Sequence, residues 1–306
     1  MRVLVLGAGA VGGYFGARLA GGGHDVTLVA RGANLEALRR DGLTVELPGE
    51  TLRLRSIRAV GDPAEAPVPD LVLVCVKSYD TAAAARALRP VVGPEIVVLS
   101  LQNGVENEAV LAGRLGLPPL LVGLTRIGVE LTAPATVHYT GRGEILFGEP
   151  DGTESPRARR IAEAFRTAGL PHQLRRDVLV VAWEKLAWNA GFNAVTTLTS
   201  ATVGEALDLP ASRELIRVAM EETDAVAAAL GIPVRRARID GVLAESAAEM
   251  PGFATSMLQD VRRRRRLEHD ALNGAVVRAA VRTGVPVPVN RTLLALLSRL
   301  DPAAKR

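Results

Sequence analysis

Val3-Leu4-Val5-Leu6 runs directly into Gly7-Ala8-Gly9-Ala10-Val11-Gly12, and this stretch decides the fold. Four successive apolar residues read as a strand buried on both faces. The Gly-x-Gly-x-x-Gly that follows opens a helical pattern over Gly12–Ala20. A glycine-rich turn from strand to helix is the fingerprint of a dinucleotide-binding unit. The first glycine permits the tight turn, the second lets a pyrophosphate approach the backbone, and the third lets helix and strand pack closely. The helix N-terminus offers free N–H groups and a positive dipole end to the phosphates. Gly7, Ala8, Gly9, Ala10, Val11 and Gly12 are therefore cofactor-binding candidates.

The second strand pattern, Val26–Ala30, is followed by Arg31 and carries no carboxylate at its tip. Asp25 stands at the opposite end. Enzymes selective for NAD place an acidic residue at this tip to hold the ribose 2′-hydroxyl, whereas an arginine suits a 2′-phosphate. NADP(H) is the expected cofactor, with Arg31 the selecting residue.

Outward from this unit, apolar runs at Leu71–Val76, Ile96–Leu101 and Leu120–Leu124 alternate with helical patterns at Thr81–Leu88 and Glu106–Leu115. That alternation predicts a parallel sheet covered on both faces. Two weaker pairs, Leu43–Leu47 with Leu52–Arg55 and Thr136–Tyr139 with Ile145–Gly148, read as hairpins or edge strands. Pro48-Gly49 and Gly141-Arg142-Gly143 are their turns. Beyond about residue 175, Ala-rich helical patterns take over at Val178–Asn193, Ala211–Leu230, Val234–Ala247, Thr255–Thr283 and Arg291–Leu300. The expected architecture is an α/β Rossmann-like dinucleotide-binding domain, residues 1–175, followed by an all-α domain, residues 176–306.

Composition excludes several classes. Apolar residues are 48% of the 306 and the net charge is only +4, which is no disordered chain. Cys75 is the only cysteine, so there is no disulfide scaffold. The amino terminus imitates a signal peptide, but its glycines interrupt the apolar run, and a cytoplasmic location is expected. No apolar stretch approaches a membrane span. The histidines, His24, His138, His172 and His269, have no ligand spacing, and no metal site is expected. Arg262–Arg266 is a run of five arginines. On the helix expected there they would spread around the axis, with Arg264–Glu268 and Arg266–Asp270 available as pairs. Aromatics at 3% provide no stacking platform, so nucleic acid is not an expected partner.

Lysine occurs only at 77, 185 and 305 among 37 cations. Where arginine is the default, a lysine marks a place for a compact ammonium. Lys305 lies in the terminal tail. Lys77 and Asn103 each follow the carboxyl end of a predicted strand, where open α/β sheets bind ligands. Lys185, Asn189 and Asn193 are spaced i, i+4, i+8 in a largely apolar helical pattern, which places them along one stripe. A buried ammonium and two amides need partners. Cys75 reads as a small core hydrophobe.

The ordered set is Gly7-Ala8-Gly9-Ala10-Val11-Gly12, Arg31, Val76-Lys77-Ser78, Gln102-Asn103-Gly104, Glu184-Lys185-Leu186, Asn189, Asn193, Ser256-Met257-Leu258-Gln259-Asp260, Glu268, Asp270 and Asn273-Gly274. It resembles the ketopantoate reductase (2-dehydropantoate 2-reductase) family over essentially the whole chain. The resemblance implies NADPH-dependent reduction of 2-dehydropantoate to (R)-pantoate, a step toward pantothenate and coenzyme A. It implies that Lys185 donates the proton to the forming alkoxide. By the same resemblance Asn103, Lys185, Asn189, Asn193 and Ser256 bind substrate, and Lys77, Asn103 and Glu268 bind cofactor. Val203 and Phe253 depart from it, since polar residues are common there, and they leave the exact 2-keto acid open. Alternative readings are a reductase of another 2-keto acid or a 3-hydroxy acid, and a non-catalytic NADPH sensor. Oligomeric state is also open, a homodimer being one assembly the resemblance allows.

Overall fold

The computed structural model describes residues 1–118, 120–235 and 238–305, and of Arg142, Ala304 and Lys305 it describes the backbone alone. The chain divides into two compact units. One comprises residues 1–102 and 107–178, the other residues 103–106 and 179–306.

In the first unit, β1 (Arg2–Leu6), α1 (Ala10–Gly21), β2 (Asp25–Val29) and α2 (Gly32–Asp41) follow from the opening motif. Then come β3 (Leu43–Leu47), β4 (Glu50–Leu54), β5 (Arg58–Val60), β6 (Leu71–Val74), α3 (Thr81–Leu88), β7 (Val97–Ser100) and α4 (Asn107–Leu115). The unit ends with β8 (Val122–Ala133), β9 (Thr136–Gly148), α5 (Pro156–Thr167) and β10 (His172–Leu174). One sheet has the order β5-β2-β1-β6-β7, with every neighbour parallel. This is the doubly wound order, whose reversal point lies at β1.

Strand alternation explains why the apolar runs are continuous. Val3, Val5, Leu71, Leu73, Val97 and Leu99 face a core shared with Phe15, Leu19 and Phe147. Leu4, Leu6, Val72, Val74 and Val98 face the opposite core, with Ala84, Leu88 and Leu111 from α3 and α4. Both faces are buried, so both residue parities must be apolar.

A second sheet runs β10-β9-β3-β4, with β8 antiparallel to β9. It corrects two expectations. Thr136–Gly148 is one strand, not two halves of a hairpin, and Gly141-Arg142-Gly143 lies within it as a stretch where the register against β8 shifts. Gly141 and Gly143 have φ values of 151° and 59°, which accommodates the irregular backbone without a reversal. Leu120–Leu124 is not a further full parallel strand. Only Leu121 bridges Leu99 in parallel, and the chain from Val122 onward pairs with β9.

Glu108, in the first turn of α4, keeps partial exposure but has its carboxyl enclosed, hydrogen-bonded by its own N–H and that of Gly123. Burial outweighs those donors and pushes its pKa from 4.5 up to about 7. A raised carboxyl pKa means the folded state holds the proton longer than the unfolded chain. The stabilisation is complete below about 4.5 and is lost as pH rises through about 7. Glu108→Gln should therefore gain stability over the parent protein between pH 5 and pH 8, by up to ~3 kcal/mol. Paired thermal melts across that range check this, and a constant difference would refute it.

The second unit is helical: α6 (Val178–Trp188, of which Val178 belongs to the first unit), α7 (Ala194–Thr199), α8 (Val203–Asp208), α9 (Pro210–Ala229) and α10 (Ile239–Glu249). It continues with α11 (Ser256–Arg262), α12 (Ala275–Thr283) and α13 (Pro288–Leu300). The start of the pattern expected at Val234–Ala247 includes residues 236 and 237, which lie outside the described residues. Its core gathers Trp183, Leu186, Phe192, Ile216, Val276 and Leu293.

Two long helices expected here are interrupted. Val178–Asn193 becomes α6 followed by a π-helical turn at Asn189–Asn193. Thr255–Thr283 breaks after Arg262, and a second π-turn, Asp270–Gly274, precedes α12. Arg263–Arg266 therefore lies beyond the helix, and Arg264 adopts a left-handed φ of 55°. The helical spacing expected to pair these residues is therefore absent, and Asp270 pairs with Arg278 at 2.7 Å. No helix among the described residues is long and apolar enough to cross a membrane.

Candidate active site

The three motif glycines occupy three different environments in the first unit. Gly7 has φ 102°, a left-handed value, and a Cβ there would approach the Val76 nitrogen to 2.8 Å. Gly9 precedes α1, and nothing lies within 4 Å of where its Cβ would be. A Cβ on Gly12 would collide with the Gly7 carbonyl oxygen and come within 2.9 Å of Val5. Turn, open approach and close packing are thus separated along the motif. The loop is strapped to the end of β2, since Gly7 and Ala8 N–H groups both donate to the Val29 carbonyl, at 3.1 and 3.0 Å. Asn34 on α2 adds a hold: its amide donates to the Ala8 carbonyl at 2.7 Å, and its oxygen accepts from Ala135 N–H at 2.8 Å. Nothing local to Asn34 marks it, because its second partner is 101 residues away.

Arg31 stands at the tip of β2, immediately before α2, with its side chain exposed. Lys77 follows β6 and precedes a short 3₁₀ turn, half-buried. Cys75, beside it, packs against the core, and burial pushes its thiol up to about 12, so it stays protonated at neutral pH. These placements fit a nicotinamide dinucleotide phosphate: an open glycine, a helix N-terminus, and an arginine at the ribose end of the second strand.

In the second unit, Lys185 Nζ donates to Asn103 Oδ1 at 3.1 Å, and Asn103 Nδ2 donates to Glu268 Oε2 at 3.4 Å. Residues separated by 82 and 165 positions thus form one hydrogen-bonded chain. Asn103 belongs to residues 103–106, which group with the helical unit although both flanks belong to the other. Lys185 is half-buried and Glu268 is buried. Trp183, Leu186 and Ala187, its neighbours on α6, lie in the apolar core.

Asn189 and Asn193 are buried at the two ends of the π-turn, so the straight α-helical stripe expected for them is not what forms. The wider π-turn rolls Asn193 back relative to α-helical geometry. It also opens a backbone carbonyl: Asn273, in the other π-turn, donates to Ala190 O at 3.0 Å. Asn193 Oδ1 is buried with no hydrogen-bond partner among the described residues. Ser256 is exposed at the start of α11. Thr255 caps that helix and is joined to Thr196 on α7 through a buried hydroxyl pair at 2.8 Å. Thr196 in turn donates to Phe192 O at 2.7 Å, which ties the start of α11 to the π-turn. The sequence reading missed this threonine pair. Among the described residues no cluster has the composition of a metal site.

Residues 3–152 match the family Ketopantoate reductase PanE/ApbA, and residues 177–301 match its C-terminal family. The chain is 38% identical to the 2-dehydropantoate 2-reductase of Halobacterium salinarum over 299 residues, covering 97% of this chain and 98% of that one. It is 37% identical to the 2-dehydropantoate 2-reductase of Archaeoglobus fulgidus, covering 98% of each. The crystal structure of a PanE/ApbA family ketopantoate reductase from Ralstonia eutropha superposes with a TM-score of 0.92 at 34% identity, over the whole of both chains. The doubly wound sheet, the helical second unit and full-length similarity agree, and the chain belongs to the ketopantoate reductase family.

Proposed function

We propose that this chain reduces 2-dehydropantoate to (R)-pantoate with NADPH, and that Lys185 supplies the proton. The observation that carries the reading is the hydrogen-bonded chain Lys185–Asn103–Glu268. NADPH, when bound, supplies the hydride to the keto carbon. Charge then develops on the carbonyl oxygen, and Lys185 is a donor that can stabilise and protonate it. Asn103 holds the ammonium through its oxygen, which orients it for proton donation. Asn189, Asn193 and Ser256 bind substrate in this reading. The unsatisfied Asn193 oxygen supports that role, because a buried acceptor without a partner is costly unless a ligand supplies the donor.

Gly7–Gly12, Arg31, Lys77, Asn103 and Glu268 hold the cofactor in the same reading. Arg31 carries the choice between NADPH and NADH. One charge-assisted hydrogen bond is worth ~1.5–3 kcal/mol, so Arg31→Ala should weaken NADPH use about ten- to a hundredfold. NADH use should hardly change. Steady-state kinetics with both cofactors measures this, and an equal loss for both would reject Arg31 as the selector.

Val203 is fully buried in the helical core, where its N–H donates to Phe253 O at 3.0 Å. Its departure from a polar residue is accounted for by packing. Phe253 keeps part of its surface exposed, so it is the residue to vary if another 2-keto acid proves a better substrate. The decisive assay is NADPH oxidation with 2-dehydropantoate beside other 2-keto acids. Turnover with the first supports the reading, and cofactor binding with no turnover on any of them rejects it. A cytoplasmic location and a homodimer belong to the same proposal, and sedimentation velocity reads the second directly.

A further inference from the structure

Residues 103–106 leave the first unit between two residues that are held within it. On one side Gln102 is fixed in the first unit, its amide donating to Val76 O and Thr81 Oγ1, both at 2.9 Å. On the other side Asn107 accepts from the same Thr81 hydroxyl at 2.8 Å. Between them the backbone turns at Gly104, φ 103°, a value reached easily because glycine has no Cβ. The Asn103 side chain is hydrogen-bonded to Lys185 and to Glu268, at 3.1 and 3.4 Å.

Arg278 on α12 ties residues 103–106 to the start of the second π-turn. Its Nε donates to both carboxylate oxygens of Glu106, at 3.3 and 3.2 Å, and Nη2 donates to Glu106 Oε2 at 2.7 Å. Its Nη1 donates to Asp270 Oδ1 at 2.7 Å, and Nη2 also reaches the Asp270 carbonyl at 2.8 Å. Glu106 closes the segment that begins at Asn103, and Asp270 opens the π-turn two residues after Glu268. One planar guanidinium therefore holds the two segments from which Asn103 and Glu268 meet. Gly274 makes room for it. Its backbone is ordinarily helical, yet a Cβ there would lie 2.6 Å from Asp270 Oδ1 and 3.1 Å from Arg278 Nη1. A larger residue at 274 would have to push the Asp270 carboxylate aside, and so disturb the clamp itself.

We infer that Arg278 is a positioning residue for the reaction, which orients Asn103 and Glu268 by clamping Glu106 and Asp270. The inference rests on the reading of Lys185–Asn103–Glu268 as the catalytic cluster. A lysine cannot replace the clamp, because an ammonium lacks the fork that binds two acceptors in fixed directions. Small misplacement of a catalytic group costs up to about a hundredfold in rate.

The test uses the full chain carrying Arg278→Ala, Arg278→Lys, Glu106→Gln, Asn103→Ala and the double Arg278→Ala/Asn103→Ala. Hydrogen exchange of the peptide spanning 103–106 should quicken in the first three. Their kcat should fall roughly tenfold or more for Arg278→Ala, and by less for Arg278→Lys and Glu106→Gln. The double variant should lose less than the product of its two single losses, because Arg278 acts partly through Asn103. Unchanged exchange and kcat in Arg278→Ala, with activity lost in Asn103→Ala, overturns the clamp alone. Fully multiplicative losses overturn it too, since they describe a general structural role. Full activity in both Asn103→Ala and Lys185→Ala overturns instead the reading on which the clamp rests. If Arg278→Ala does not fold, Arg278→Lys and Glu106→Gln carry the same comparison.

Discussion

Lys185→Ala is expected to lower kcat for reduction of 2-dehydropantoate by about 10²–10⁴-fold, while NADPH affinity stays within a few fold. The size follows from what the side chain does at the reacting oxygen. A positioned general acid acts mainly on the transition state, so its removal lowers kcat and kcat/KM together. Lys185→Arg should rescue little. Arginine keeps the charge but cannot give up a proton in a protein, and its planar fork differs from the compact ammonium that donates to Asn103 Oδ1. Steady-state kinetics and a fluorescence titration of NADPH separate chemistry from binding. A variant that retained kcat would remove Lys185 from the reaction.

The second large effect is a contrast within one motif. Gly12→Ala should lower both stability and NADPH affinity, because its Cβ collides with the Gly7 carbonyl oxygen in the loop itself. Backbone on one side and Val5 on the other leave no flexible atom to yield. Overpacking of this kind costs ~1–3 kcal/mol in stability, and the displaced loop should bind NADPH at least a hundredfold more weakly. Gly9→Ala should behave differently. Its Cβ meets nothing within 4 Å, so the melting temperature of the cofactor-free protein should stay within about a degree. NADPH affinity should still fall, since the methyl group occupies the side from which a phosphate approaches the backbone. Melting curves with and without NADPH resolve the two. Equal destabilisation of the apo protein by both substitutions would contradict this division of roles.

Much of the fold is legible along the chain because it is local. Val3–Leu6, Leu71–Val74 and Val97–Ser100 are apolar at every position since the sheet is covered on both faces. Thr81–Leu88 is a helix with the bounds its pattern predicts. Interruptions are harder to read. The π-turn at Asn189–Asn193 follows α6 without a proline, and its two asparagines and Gly191 are each tolerated inside an α-helix, so the residue pattern does not locate it. The arginine run has good helix formers throughout, yet the helix ends at Arg262, and Arg264 turns left-handed at a cost that surrounding packing must outweigh.

By itself the sequence determined the doubly wound sheet, the glycine turn from strand to helix and the helical second half, while only the family resemblance grouped Lys185, Asn103 and Glu268. Periodicity, turn chemistry and spacing are properties of neighbouring residues, so they survive in one dimension. Tertiary structure alone decided that β9 would run unbroken between β3, β8 and β10. It also decided that residues 103–106 would join the helical unit and that Arg278 would reach Glu106 across 172 positions. Such pairings depend on which surfaces meet once the chain has folded. A hydrogen bond selects a partner by distance and direction in space, and those are quantities that the order of residues does not contain.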